Sequence, residues 1–236
     1  MLVNSSFVLA YLKYSKIVGL SIIIMAALAM VAMLSFFEVA LSLDSQELSS
    51  YFVSNRSDYY LALSAWVGIL ICDVLASWGF LKIYHGLNSS LGRITAQLRF
   101  TYSAILLFAM VPLFGALSLD AQEIESGLVF QYLHQFERLW SLGLIVFGLH
   151  LGGLAWLNPH SSKFYGFLKI MLFLGAIGYL LIHGLSHNFS YFATWELPMT
   201  HLFMAPMILG EVGLAFVLWL KPKTYLTALE SKNSIS

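Results

Sequence analysis

The chain has 236 residues, with 12 Lys and Arg against 12 Asp and Glu, and is 59% hydrophobic but only 10% charged. An ordinary soluble domain is about one quarter charged, so this composition, with a mean hydropathy of +0.81, excludes a water-soluble globule. Neutrality without a basic tract excludes a nucleic-acid binder, and the lone cysteine, Cys72, excludes a disulfide framework and a CxxC motif.

A membrane-spanning helix needs about 20 mostly apolar residues. Six segments qualify, which predicts an all-α, polytopic bundle of six transmembrane helices. The first runs over Ile17–Leu41 and closes near Glu38. Lys13 and Lys16 precede it, but its apolar run is too long for a signal peptide and lacks an A-x-A site, so it reads as uncleaved. The second, Tyr59–Ile83, carries Asp73; the third, Ile94–Leu117, carries Arg99 and Pro112. The fourth, Leu128–Leu157, holds His134, Glu137 and His150. Its Gly148 and Gly152 form a small-xxx-small pattern that favours close helix packing. The fifth, Phe164–His183, is glycine-rich, and His187 follows it. The sixth, Thr200–Leu220, contains His201, Pro206 and Glu211. Residues 1–223 form one membrane domain, and the polar tail, residues 224–236, is expected to fray.

Lysine and arginine set the expected orientation. Lys13, Lys16, Lys82, Arg93, Lys163, Lys169, Lys221, Lys223 and Lys232 fall at one side of a six-span chain. The loops of the other side hold Arg56 alone among basic residues, with Asp44, Glu47, Asp58, Asp120, Glu123, Glu125 and Glu196. Both termini are therefore expected in the cytoplasm, in a cell inner membrane. Tyr59, Tyr60, Trp140, Trp156 and Trp219 lie near span ends, where aromatic belts form.

Ionisable groups inside spans are costly and flag function. At about 1.5 Å per helical residue, Asp73 lies about 14 Å above Lys82, Arg99 about 9 Å above Arg93, His150 about 12 Å above Asn158, and Glu211 about 15 Å above Lys221. Four helices thus present polar groups to one layer of the inner leaflet. Asp73 and Arg99 are expected to pair, which leaves Glu211 with His150. Burial disfavours a carboxylate's charged form, so Glu211 is a candidate proton or cation site. Pro206 removes the hydrogen bond to the Leu202 carbonyl, and a kink there would open a cavity beside Glu211; Pro112 offers the same in the third span. Two structural alternatives stand beside this. The polar layer fixes helix register without chemistry, or Arg99 snorkels to the interface and leaves the layer.

A second cluster is expected at the outer boundary. His134, His183, His187 and His201 fall at similar depth, with Glu137 and Glu38 nearby. Imidazoles suit zinc, copper or haem iron. The H-x-x-x-H spacing of His183 and His187 lacks the glutamate of H-E-x-x-H, and Gly184 suggests a helix end between them.

The polar residues also carry a resemblance. Leu70-Ile71-Cys72-Asp73-Val74, Gly86-Leu87-Asn88-Ser89-Ser90-Leu91, Leu98-Arg99-Phe100, Phe147-Gly148-Leu149-His150 and Gly210-Glu211 ahead of Leu218-Trp219-Leu220 resemble a bacterial membrane family, domain of unknown function 4386. The resemblance implies a six-helix integral membrane protein with Asp73, Arg99, His150 and Glu211 as its polar positions. It implies no activity, and the outer histidines lie outside it.

Three functions follow as expectations. The first is a small carrier or ligand-binding bundle for a solute, lipid or proton, using the buried layer and no cofactor. The second is a metal-dependent membrane enzyme at the outer histidines. The third is an accessory subunit whose polar layer only joins helices. No G-x-S-x-G elbow and no P-loop is present, which removes a serine hydrolase and ATP-driven work by this chain alone.

Overall fold

The computed structural model describes residues 5–87, 89–159, 162–185 and 195–233, apart from the side chains of residues 196, 232 and 233. The described residues are helical or in short turns, with no strand among them. Among the described residues, six helices are long and apolar enough to cross a membrane: α1 (Ser5–Ala40), α3 (Arg56–Gly86), α4 (Ser90–Ala116), α6 (Leu128–Leu157), α7 (Lys163–Leu185) and α8 (Glu196–Leu220). Apolar side chains such as Leu107, Phe108, Phe173 and Leu202 face outward, as a lipid-bathed surface requires. The protein is a multi-pass membrane helical bundle.

The six helices pack as a closed ring in chain order, each on the next and α8 back on α1. Glycine makes the close approaches. A Cβ at Gly210 would lie 2.9 Å from the Leu172 backbone, and one at Gly178 would lie 2.6 Å from Phe203, so α8 rests directly on α7. Gly148 meets Tyr179 and the Ala176 carbonyl, and Gly152 meets Ala176, so the small-xxx-small face of α6 is its seam with α7. Gly19 closes the ring: its Cβ would lie 2.5 Å from the Ala215 carbonyl and 2.7 Å from the Trp219 nitrogen.

That closing seam is asymmetric. On α8, Gly210, Leu214, Ala215, Val217 and Leu218 are buried, but nothing between residues 197 and 209 is. On α1, Ser21 and Ile22 are buried, and the next buried residue is Ala32. The two helices therefore meet tightly near the termini and part toward the other side.

Two short helices cap that other side. Asp44 and Glu47 form a capping box on α2 (Ser45–Ser54), and Asp120 and Glu123 form one on α5 (Ala121–Glu125). Each box satisfies exposed N–H groups at a helix start. The Ser49 hydroxyl donates to the Ile124 carbonyl at 2.7 Å and ties the caps together. Gly127 sits between α5 and α6 at φ 81°, a left-handed conformation that suits glycine.

Two helix irregularities sit in this half. Residues Met33–Phe37 of α1 form a π-turn. Within it the adjacent Phe36 and Phe37 are both fully buried. They join Phe52, Tyr59, Trp66, Phe136 and Trp140 in a continuous aromatic stack. In α4 the helix breaks at Met110, and Pro112 occupies the first turn of the next segment, where its missing N–H costs little. The Tyr59 hydroxyl donates to the Leu113 carbonyl at 2.6 Å beside this break.

The tail differs from expectation. Residues Pro222–Asn233 form α9, and Tyr225, Leu226, Ala228 and Leu229 are buried. The reason is an apolar stripe at helical spacing inside a polar sequence. The Tyr225 hydroxyl donates to Asn158 Oδ1 at 2.9 Å, while Asn158 Nδ2 donates to the Tyr165 carbonyl at 2.8 Å. Burial holds the Tyr225 phenol well above the ordinary tyrosine pKa.

The α1–α8 seam is testable through its glycine. Gly19→Val should destabilise the protein by about 1–3 kcal/mol, the usual cost of overpacking. Gly166→Ala, where a Cβ meets nothing within 4 Å, should be neutral or stabilising by up to about 1 kcal/mol. Thermal unfolding of the two variants in detergent checks the contrast.

Candidate functional site

Arg99 stands at the centre of the ring. It projects from α4, and its side chain is fully buried. Its Nε donates to Asp73 Oδ1 of α3 at 2.8 Å, and Nη2 pairs with the same oxygen at 2.8 Å. Nη1 reaches across the ring to Glu211 Oε1 of α8 at 2.9 Å. Nη1 also lies 3.4 Å from His150 Nε2 of α6, and Nη2 lies 3.7 Å from the Met25 sulfur of α1. Guanidinium has five N–H donors, and each has a partner. The Phe147 and Phe80 rings flank it at 5.2 and 5.9 Å, a further favourable setting for a cation.

The four polar positions read from helical rise are thus one contact network. Two details differ from the sequence reading. Arg99 does not snorkel; its carboxylate partners hold it inside. Glu211 is not paired with His150 instead of Arg99, because a guanidinium can serve both carboxylates at once and imidazole is left as a minor acceptor. The helix depths could not show this, since the length of the arginine stem closes the span between non-neighbouring helices α4 and α8.

His150 is fixed as a neutral acceptor by its neighbours. Its Nδ1 lies 2.8 Å from the Thr95 carbonyl. A carbonyl only accepts, so Nδ1 carries the proton. Arginine only donates, so the Nε2 facing Arg99 carries a lone pair.

The two carboxylates are held differently. Asp73 is fully buried, and Oδ1 takes two donors of Arg99. Its Oδ2 accepts from the Ser103 hydroxyl, which Ser77 approaches at 3.4 Å. The Glu211 side chain is 13% exposed. Its Oε1 takes one donor of Arg99, and among the described residues Oε2 has no hydrogen-bond partner.

A cavity of about 160 Å³ lies against Glu211. Met25, Ala26, Ala29 and Met33 of α1 line one side; Trp66, Tyr102, Trp140, Phe147 and Tyr179 bring aromatic rings from α3, α4, α6 and α7. Its α1 lining, Met25 to Met33, falls where the α1–α8 seam parts, and the π-turn begins at its wall, at Met33. Helix α8 runs unbroken through Pro206, which does not line this cavity. The expected proline kink is therefore not what opens it.

His134 and His183 at the outer side have separate partners. His134 Nδ1 pairs with Glu137 at 3.1 Å and its ring meets Phe130. His183 Nδ1 lies 2.9 Å from the Ser141 hydroxyl and its ring stacks on Tyr179. His201 is exposed on α8, as is Glu38 on α1. His187 lies outside the described residues. Among the described residues no group of three or more His, Cys, Asp or Glu side chains is placed to hold a metal ion.

A family model described as Domain of unknown function (DUF4386) matches residues 17–221. The chain belongs to that family. The match covers all four residues of the buried network. No curated protein and no solved structure matches the chain.

Arg99→Met strands both carboxylates, and breaking a buried pair from one side costs about 3–5 kcal/mol. The variant should lose folded yield and melt well below the native protein in detergent. Adding Asp73→Asn and Glu211→Gln to Arg99→Met should restore much of that loss, since no charge is then left unpaired. Size-exclusion profiles and thermal melts of the two variants check it.

Proposed function

We propose that this DUF4386 protein is a small carrier or ligand-binding bundle, with Glu211 as its exchangeable site. Arg99, Asp73 and His150 act as the fixed scaffold that holds Glu211 at the cavity. The observation that carries this reading is a charge imbalance beside an accessible space. One guanidinium faces two carboxylates, and His150 is neutral by its hydrogen bonds. With both carboxylates ionised the layer carries one negative charge in excess.

A buried excess charge is expensive in hydrocarbon, so the layer favours either a bound cation or a proton. Glu211 is the place for it. Asp73 is enclosed with both oxygens occupied, whereas Glu211 has a free oxygen and reaches the cavity. A proton or a cation can therefore be exchanged there without dismantling the Arg99–Asp73 pair. The basic residues on the termini side support a cytoplasmic orientation of both termini in a bacterial inner membrane, with the cavity in the half of the bundle that faces away from them.

A purely structural network would also couple the helices. It gives no reason for one carboxylate to keep an unbound oxygen at a cavity, or for the closing seam to part there.

Reconstituted in liposomes with an internal pH dye, the native protein should take up or conduct protons on an acid jump. Glu211→Gln should abolish that response while keeping a native melt, because the neutral amide still accepts from Arg99. An unchanged response in a folded Glu211→Gln protein would refute the proposal.

A further inference from the structure

The cavity wall narrows the chemistry of the exchangeable cation, taking the reading of Glu211 above as its basis. We propose that the cavity binds a small organic ammonium ion, recognised by its aromatic rings and neutralised by Glu211.

Four ligand chemistries compete, and the lining separates them. An inorganic cation such as sodium needs several oxygen ligands to replace its hydration shell, as hard cations do. The wall offers the Glu211 carboxylate and the hydroxyls of Tyr102 and Tyr179, and the rest is carbon, indole and thioether sulfur. An anion meets a layer that already carries excess negative charge. A neutral apolar molecule fits the wall but makes no use of the Glu211 carboxylate. An alkylammonium satisfies both demands. Its charge balances the carboxylate, and its methyl or methylene groups lie against ring faces, as in aromatic cages for quaternary ammonium.

The residues are disposed for this. Trp66 and Trp140 stand at 5.0 Å between centroids and edge to face, and Tyr102 receives the Trp140 N–H at 3.3 Å. Phe147 touches both Tyr102 and Tyr179, at 5.0 and 5.3 Å. These rings pack on one another along the wall that also holds Glu211. Met25 and Met33 supply adaptable, polarizable surface from α1. The volume, about 160 Å³, suits a group about the size of benzene, which a 150 Å³ apolar cavity is known to accept. On the α1–α8 seam beside the cavity, residues 197–209 and 23–31 are not buried.

The ion and the proton compete for one charge. When Glu211 is protonated the layer is neutral; when the ammonium binds, Glu211 releases its proton to the solution and the layer is again neutral. The titratable and charged groups around Glu211 are Arg99 and Tyr102 from α4, Asp73 from α3, His150 from α6 and Tyr179 from α7. From α1 only uncharged side chains line the cavity. Acid should therefore weaken ammonium binding, and ammonium binding should release close to one proton per chain.

The full chain in lipid nanodiscs tests this through tryptophan fluorescence, since Trp66 and Trp140 line the site. Tetramethylammonium should give a saturable change at alkaline pH. Sodium at equal ionic strength and neutral tert-butanol should give none. Glu211→Gln should weaken tetramethylammonium binding by about tenfold or more, and Ala29→Leu, which narrows the cavity but leaves every charge in place, should weaken it comparably. Equal responses to tetramethylammonium and sodium, or to tetramethylammonium and tert-butanol, would overturn the proposal. So would undiminished binding in a folded Ala29→Leu protein. Proton uptake measured without tetramethylammonium separates the two claims. If it depends on Glu211 while tetramethylammonium has no effect, the site exchanges protons and the ammonium proposal fails alone. If uptake is absent and tetramethylammonium binds, the proton reading fails alone.

Discussion

A guanidinium in hydrocarbon must have every N–H satisfied and its charge balanced, and this constraint organises the bundle. Arg99 meets it with groups from α1, α3, α6 and α8, so four other helices converge on one side chain. The ring could close by apolar packing alone, but packing is non-directional and lipid competes for it. The charge network is directional. It sets the rotation of α3 and α8 about their axes, because Asp73 and Glu211 must point inward at one level. The same network accounts for the neutral tautomer of His150 and for the phenylalanines that flank the cation.

Around that hub the packing is uneven. On the termini side, Gly19 brings α1 and α8 together, and Tyr225 and Asn158 anchor α9 beneath the bundle. On the other side, α8 leans on α7 through Gly175, Gly178 and Gly210 and withdraws from α1. The caps α2 and α5 cover the end of the aromatic stack but leave the seam. Space therefore accumulates where the hub has its least satisfied carboxylate. That coincidence is what gives Glu211, rather than Asp73, access to an exchangeable ion.

Much of this was legible in the sequence. The six spans were, because apolar length and loop polarity are one-dimensional properties; the helices match the expected ends to within four residues, except at the start of α1, which lies twelve residues earlier. The polar layer was also legible, since a fixed rise per residue converts sequence position into depth. What depth does not carry is azimuth. Whether Arg99 serves one carboxylate or two depends on which helices face each other across the ring, and on stem length. The π-turn at Met33–Phe37, the splayed seam and the capping helices arise from local packing that hydropathy does not register. The amphipathic tail was concealed by its low average hydropathy. His134 and His183 point to separate partners, Glu137 and Ser141, which is the same missing azimuth seen from the other side.

The central claim is that Arg99 serves both carboxylates and that only Glu211 exchanges its charge. Infrared difference spectroscopy between alkaline and acid pH, on the protein in lipid, tests it directly. The account predicts one carboxylic-acid C=O band that grows on acidification, disappears in Glu211→Gln and persists in Asp73→Asn. A band that vanishes in Asp73→Asn and survives in Glu211→Gln would contradict it, as would the absence of any buried carboxyl band in the native protein.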